Sequence, residues 1–152
     1  MSALLAEVLP GDVAHAARRD DVADPAPYPE EAAQVVRAVP RRRAEYLTVR
    51  ACARQALGQL GVAPVPLPRG EGGAPVWPEG VVGSLTHCAG FRGAAVAPAH
   101  RYAAIGIDAE PDAPLPDGVR EAVALPGELA DPPVTPHADR LLFCAKEAVY
   151  KA

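Results

Sequence analysis

The sequence is poor in several of the features that announce a function. It has three cysteines, Cys52, Cys88 and Cys144, an odd number with wide spacing and no C-x-x-C pair. That excludes a disulfide framework and a zinc site as readings, and leaves the three as small apolar residues. Basic charge is in deficit, with 15 Lys and Arg against 19 Asp and Glu and a net charge of -4. Bulk nucleic-acid binding, which neutralises phosphates over a broad basic surface, is therefore not expected, and any basic site must be local. No long hydrophobic run occurs. The apolar stretch between Met1 and Pro10 is interrupted by Glu7 and has no basic residue ahead of it, which fits neither a signal peptide nor a membrane span. A cytoplasmic protein with no membrane partner is the expectation. Internal repeats, low-complexity tracts and a G-x-x-x-x-G-K-[ST] loop are also missing, which sets aside a P-loop nucleotide enzyme.

What is present suits one modest domain. The 152 residues are 49% hydrophobic and 22% charged, enough for a core, while 18 prolines and 13 glycines imply many loops. Residues 1–29, with Asp20, Asp21, Asp24 and three prolines, read as an irregular lead-in. Pro29 with Glu30 and Glu31 starts a helix that runs to about Val39, since proline suits the first turn and acids suit the dipole. A second helix is predicted from about Arg41 to Leu60. Tyr46, Val49, Ala53, Leu57 and Leu60 form its core face, and Gly61 stops it. Residues 61–80 are too rich in breakers for either period, and Trp77 within them is expected to be a packing anchor. Three short antiparallel strands are predicted at Val81–Thr86, Gly93–Ala97 and Ala103–Asp108. A short helix follows around Gly118–Ala124, and a last helix starts near Ala138 or Asp139. The fold class is α+β.

Two stretches carry chemistry. In Ile105-Gly106-Ile107-Asp108-Ala109-Glu110-Pro111, acids two apart on a strand put both carboxylates on one face, about 7 Å apart, close enough to share a cation. On the last helix, Glu147 and Lys151 are four apart and face the same side, offering a third carboxylate with an ammonium beside it. Such a set suits magnesium-assisted phosphoryl transfer. The plainer alternatives are a solvated strand end and a surface ion pair contributing about 0.3 to 0.5 kcal/mol. Arg41-Arg42-Arg43 at a helix N-terminus is opposed by the macrodipole at roughly 0.3 to 1 kcal/mol each. Either the arginines are solvated or a phosphate ligand answers them. Arg43, Arg50 and Arg54 fall along one edge of the apolar stripe as a basic ridge. His87, ending a strand, is either a hydrogen-bonded structural residue or a phosphate contact.

Taken together, these residues resemble the Sfp-type (EntD-like) 4'-phosphopantetheinyl transferases, and most closely the actinobacterial members. The resemblance rests on Arg42-Arg43-Ala44-Glu45-Tyr46 with Arg50, on Trp77-Pro78 and on Gly83-Ser84-Leu85-Thr86-His87-Cys88. It continues in Gly106-Ile107-Asp108-Ala109-Glu110-Pro111 and in Phe143-Cys144-Ala145-Lys146-Glu147-Ala148 with Lys151. G-I-D-x-E followed by F-[SC]-x-K-E-[AS]-x-x-K is strongly specific. It implies that 4'-phosphopantetheine passes from coenzyme A to a serine of an apo acyl or peptidyl carrier protein of fatty-acid, polyketide, non-ribosomal peptide or siderophore synthesis. It further implies Asp108, Glu110 and Glu147 as magnesium ligands, and His87, Arg42, Arg50, Arg69, Lys146 and Lys151 as contacts of the coenzyme A phosphates. Glu147 would act as general base, and Lys151 would offset charge developing in the transition state. A monomer is expected.

The resemblance also implies a pseudo-twofold fold of two similar α/β halves. On that expectation residues 1–137 are the first subdomain, a short antiparallel sheet packed with helices, and residues 138–152 begin a second whose remainder is missing. A truncated chain that only binds coenzyme A or a carrier protein is the alternative function.

Overall fold

The computed structural model describes residues 2–23, 25–130 and 135–152. Helix α1 (Ser2–Val8) leads into strand β1 (Ala14–Arg18), followed by α2 (Pro29–Gln34) and the long α3 (Pro40–Gln59). Strands β2 (Val81–Cys88) and β3 (Phe91–Pro98) form a hairpin, and α4 (Val119–Val123) and α5 (Ala138–Tyr150) complete the order. The sheet is antiparallel with order β1-β3-β2, so β3 is central and β2 has a free edge.

Helix α3 covers one face of this sheet. Cys52, Ala53, Ala56 and Leu57 pack against Ala16, Ala94 and Val96, and all are buried. Alanines at the contact let helix and sheet approach closely, and Cys52 fills a small apolar gap as the sequence predicts. Trp77 packs against this core, lying over Gly83, where a Cβ would come within 2.9 Å of the indole. On the opposite face Leu5, Val13 and Phe91 join Ala95, Ala97, Ile105 and Ile107. Alternation along β3 divides its residues between the two cores.

Four elements differ from the sequence prediction, the first being α1, a helix in the stretch read as irregular, whose Leu5 is buried in the second core. The third strand is β1, inside the stretch read as an irregular lead-in. Ala14, His15, Ala16 and Ala17 have little strand preference of their own, and pairing with β3 decides their conformation. Ala103–Asp108, predicted as a strand, does not join the sheet. Ile105 and Ile107 instead turn into the second core. The amides of Ile107 and Ala109 bond to Ser84 Oγ at 3.1 Å and Thr86 Oγ1 at 2.9 Å. The segment is hung from side chains of β2 rather than from its main chain. Helix α2 is shorter than predicted, ending at Gln34, while α3 begins at Pro40 after a break.

Candidate active site

A cleft of about 530 Å³ runs beside the free edge of β2. This size suits a small-molecule site. Arg42, Tyr46 and Arg50 line it from α3, His87 from the end of β2, and Glu147 and Lys151 from α5, with Arg69 contributed by the loop before β2. Residues from four separate stretches of sequence thus converge on one cavity.

The basic wall is organised by a carboxylate. Glu45, 8% exposed, accepts an ion pair from Arg41 at 3.1 Å, one turn along the helix, and lies 3.5 Å from Arg92 and 3.9 Å from Arg42. It therefore offsets the unfavourable cluster of arginines at the N-terminus of α3. Among the three arginines Arg42 is the one that reaches the cleft. Its guanidinium donates to His87 Nε2 at 2.6 Å, which leaves the ring proton on Nδ1. Burial first, and then the charge of Arg42, push the His87 pKa below its ordinary value, with Glu45 opposing. His87 is thus poised as a neutral ring.

Arg50 is not part of a solvated ridge. It is 3% exposed, and its Nε donates to the Leu67 carbonyl at 2.7 Å. Its guanidinium lies 3.3 Å from the centre of the Tyr46 ring, and desolvation lowers its pKa to about 10. Arg54, placed by the helical pattern on the same ridge, is inserted toward Glu31 at 2.6 Å. Arg69 is exposed, with its guanidinium 5.6 Å from the centre of the Tyr46 ring.

The acidic wall is formed by Glu147, and Asp108 lies behind it next to Lys151, its side chain 6% exposed and not itself lining the cavity. One oxygen meets the Lys151 ammonium and the Thr86 hydroxyl; the other, Oδ2, is buried with no partner. Cys144 donates its thiol to the Asp108 carbonyl at 3.3 Å, and burial, with the Asp108 charge next, raises that thiol to about 12. Such a thiol is inert. Gly106 is what lets α5 come this close, because a Cβ there would lie 1.8 Å from the Ala148 carbonyl oxygen.

Other predicted residues are engaged elsewhere. Glu110 is held by Arg140 at 2.7 Å, and the Lys146 ammonium bonds the Val123 carbonyl at 2.7 Å and Glu128 at 2.6 Å, away from the cleft. Among the described residues no group of three or more His, Cys, Asp or Glu is arranged to hold a metal ion. The unpartnered Asp108 oxygen nevertheless fits a cation, since a buried carboxylate oxygen left without a donor is costly. Glu45, Ser84, Thr86 and Arg140 act in the site without having been assigned a role from sequence. The alternation of Ser84 and Thr86 on one strand face was the available signal for two of them.

Comparison with known proteins agrees with this arrangement. The family described as the 4'-phosphopantetheinyl transferase N-terminal domain matches residues 30–97, which include α3, Arg69 and His87. The 4'-phosphopantetheinyl transferase superfamily matches residues 104–152, which include Asp108 and α5. The 4'-phosphopantetheinyl transferase PptT of Mycobacterium tuberculosis is 53% identical over 98% of this chain and 69% of its own length. Npt of Nocardia iowensis is 49% identical over 98% of this chain and 68% of its own. Svp of Streptomyces mobaraensis is 61% identical over 82% of this chain, which spans about half of that protein, 53%. The two family matches meet at the cleft, one supplying its basic wall and the other its acidic wall, and the chain belongs to the 4'-phosphopantetheinyl transferase family.

Proposed function

We propose that this chain transfers 4'-phosphopantetheine from coenzyme A to a serine of an apo acyl or peptidyl carrier protein, as a holo-[acyl-carrier-protein] synthase of fatty-acid, polyketide, non-ribosomal peptide or siderophore synthesis. The observation that supports it most is the pairing, across one cleft, of Arg42, Arg69 and His87 with Glu147 and Lys151, the Lys151 ammonium being tied to Asp108 behind the wall. Cationic and N–H donors on one side suit the phosphates of coenzyme A, and Arg42 can leave His87 for a phosphate oxygen without becoming unpaired. Arg50 supports the wall from behind through Leu67. Lys146, tied to Glu128, is given no phosphate role.

In the reaction the serine oxygen attacks the β-phosphorus of coenzyme A. The bond from that phosphorus to the bridging oxygen breaks, and adenosine 3',5'-bisphosphate leaves. Glu147, on the cleft wall, takes the serine proton directly or through a water. Lys151 offsets negative charge developing on the phosphoryl oxygens. Asp108, Glu110 and Glu147 would hold magnesium, hard carboxylate donors suiting it, with Glu110 released from Arg140. Bound there, the ion would neutralise the pyrophosphate oxygens.

On this reading residues 1–137 form the first unit and 138–152 open a second, seated on the first through Gly106. The protein works as a cytoplasmic monomer without membrane or nucleic-acid partners. No described helix is long and apolar enough to cross a membrane.

Intact-mass analysis of an apo carrier protein incubated with the chain, coenzyme A and magnesium tests the proposal. The expected result is a gain of roughly 340 Da, abolished by EDTA and by Asp108→Asn and reduced at least about 100-fold in rate by Glu147→Gln. Coenzyme A binding with no mass gain would overturn it in favour of a binding function only.

A further inference from the structure

The loop that presents Arg69 is built as a small hairpin with one edge open. Val76 N–H donates to the Pro68 carbonyl at 2.9 Å, and Gly70 N–H to the Ala74 carbonyl at 2.8 Å. Arg69, opposite Pro75, falls between these bonds, so its own N–H and carbonyl point to the opposite edge, where no strand of the described residues lies. The side chain of Gln34, at the end of α2, closes that edge. Its Oε1 accepts from Arg69 N–H at 2.7 Å and its Nε2 donates to the Arg69 carbonyl at 3.1 Å. A single amide thus bonds one residue as a neighbouring strand would.

The amide is itself fixed. Tyr46 donates its hydroxyl to the same Gln34 Oε1, and the guanidinium groups of Arg50 and Arg69 lie 3.3 and 5.6 Å from the centre of its ring. With both lone pairs of Oε1 taken, the amide has one orientation. One turn earlier on α2, Glu31 accepts from Leu67 N–H at 2.8 Å, while Arg50 holds the Leu67 carbonyl. The main-chain groups of Leu67 and Arg69 are therefore held by α2 and α3, and the Pro68 carbonyl by Val76 of the hairpin. Arg69 itself remains exposed at the cleft mouth.

We infer that Gln34 is a positioning residue for the anionic ligand of this cleft: together with Tyr46 it locks the main chain of Arg69 so that the guanidinium is pre-aimed at the phosphates of coenzyme A. The inference rests on the proposed function for its ligand. Gln34 lines no part of the cavity itself and meets it only through Arg69 and Tyr46. Its effect reaches the ligand by sparing Arg69 the ordering that binding would otherwise demand.

The test replaces the amide and keeps its length. In Gln34→Met, an exposed substitution at unchanged packing, calorimetric titration with coenzyme A should give a dissociation constant about tenfold weaker. KM for coenzyme A should rise in parallel, with kcat within about twofold. In an Arg69→Ala background the same substitution should cost no further affinity, because the group being aimed is gone. Amide exchange at Arg69 should quicken in Gln34→Met with or without ligand. Wild-type affinity in Gln34→Met, or losses that simply add in the double variant, would overturn the positioning role. A wild-type chain that takes up no coenzyme A while Arg69 exchange still responds to Gln34→Met would overturn the proposed ligand and leave the clamp standing.

Discussion

Gly106→Ala is the substitution that most directly tests how the acidic wall is assembled. A Cβ at this position would sit 1.8 Å from the Ala148 carbonyl oxygen, and 2.9 Å from both the Ala148 carbonyl carbon and the Ala152 nitrogen, whereas ordinary contact begins at 3.4 Å. The neighbours are backbone, so no rotamer change relieves the clash, and the end of α5 must retreat by about 1.6 Å, the difference between contact and clash. Overpacking of this kind costs about 1 to 3 kcal/mol. The helix end can move without disturbing the sheet, so most of the effect should fall on function. Lys151 would leave Asp108, and Glu147 would shift on the cleft wall. Displacement on the scale of an ångström lowers kcat by about 100-fold. The assay is the carrier mass-shift rate beside a thermal melt, with Gly58→Ala as control. Gly58 sits exposed in α3 with nothing within 4 Å of a Cβ, so that change should be neutral or slightly stabilising. Gly106→Ala with wild-type rate and melting temperature would refute the close seating of α5.

Two further outcomes follow from buried charge. His87 has its folded pKa below the unfolded value of 6.5, so its contribution to stability is fully present above pH 6.5 and is lost as pH falls through the folded value. Denaturant titrations between pH 7.5 and 5 should therefore show a shallower decline for His87→Asn than for wild type; parallel declines would count against the assignment. Glu31 is fully buried, bonded to Arg54 at 2.6 Å and to Leu67 N–H. Glu31→Ala should destabilise the chain by about 3 to 5 kcal/mol in urea, against at most about 1 for Arg41→Ala, whose side chain is 80% exposed. Equal losses would contradict the burial argument.

Much of the scaffold was legible because its signals are local. Helical spacing from Tyr46 to Leu57 and the stop at Gly61 gave α3, and breaker clusters gave the loops around Trp77. Short runs separated by turn-like residues gave β2 and β3. The candidate site was legible through type and spacing: Asp108 and Glu110 two apart, Glu147 and Lys151 four apart, and arginines where a helix N-terminus disfavours them. What could not be read was which groups answer one another. Helical phase alone put Arg50 and Arg54 on a basic ridge, yet one is spent on the Leu67 carbonyl and the other on Glu31. The pattern of charges did not reveal that Lys146 is held by Glu128 and Glu110 by Arg140.

The sequence by itself determined the helices from α2 onward, the strand pair of the hairpin and the chemical types available to the site, because propensity, period and capping act within a few residues. Tertiary structure alone made β1 a strand and took Ile105–Asp108 out of the sheet. It also turned Gln34, Glu45, Ser84 and Thr86 into supports of the segments that carry the site. Each of those outcomes depends on a partner more than ten residues away, such as Ala94 for Ala16 or Ser84 for Ile107, and hydrogen-bonding demand is met only where the folded chain brings donor and acceptor together.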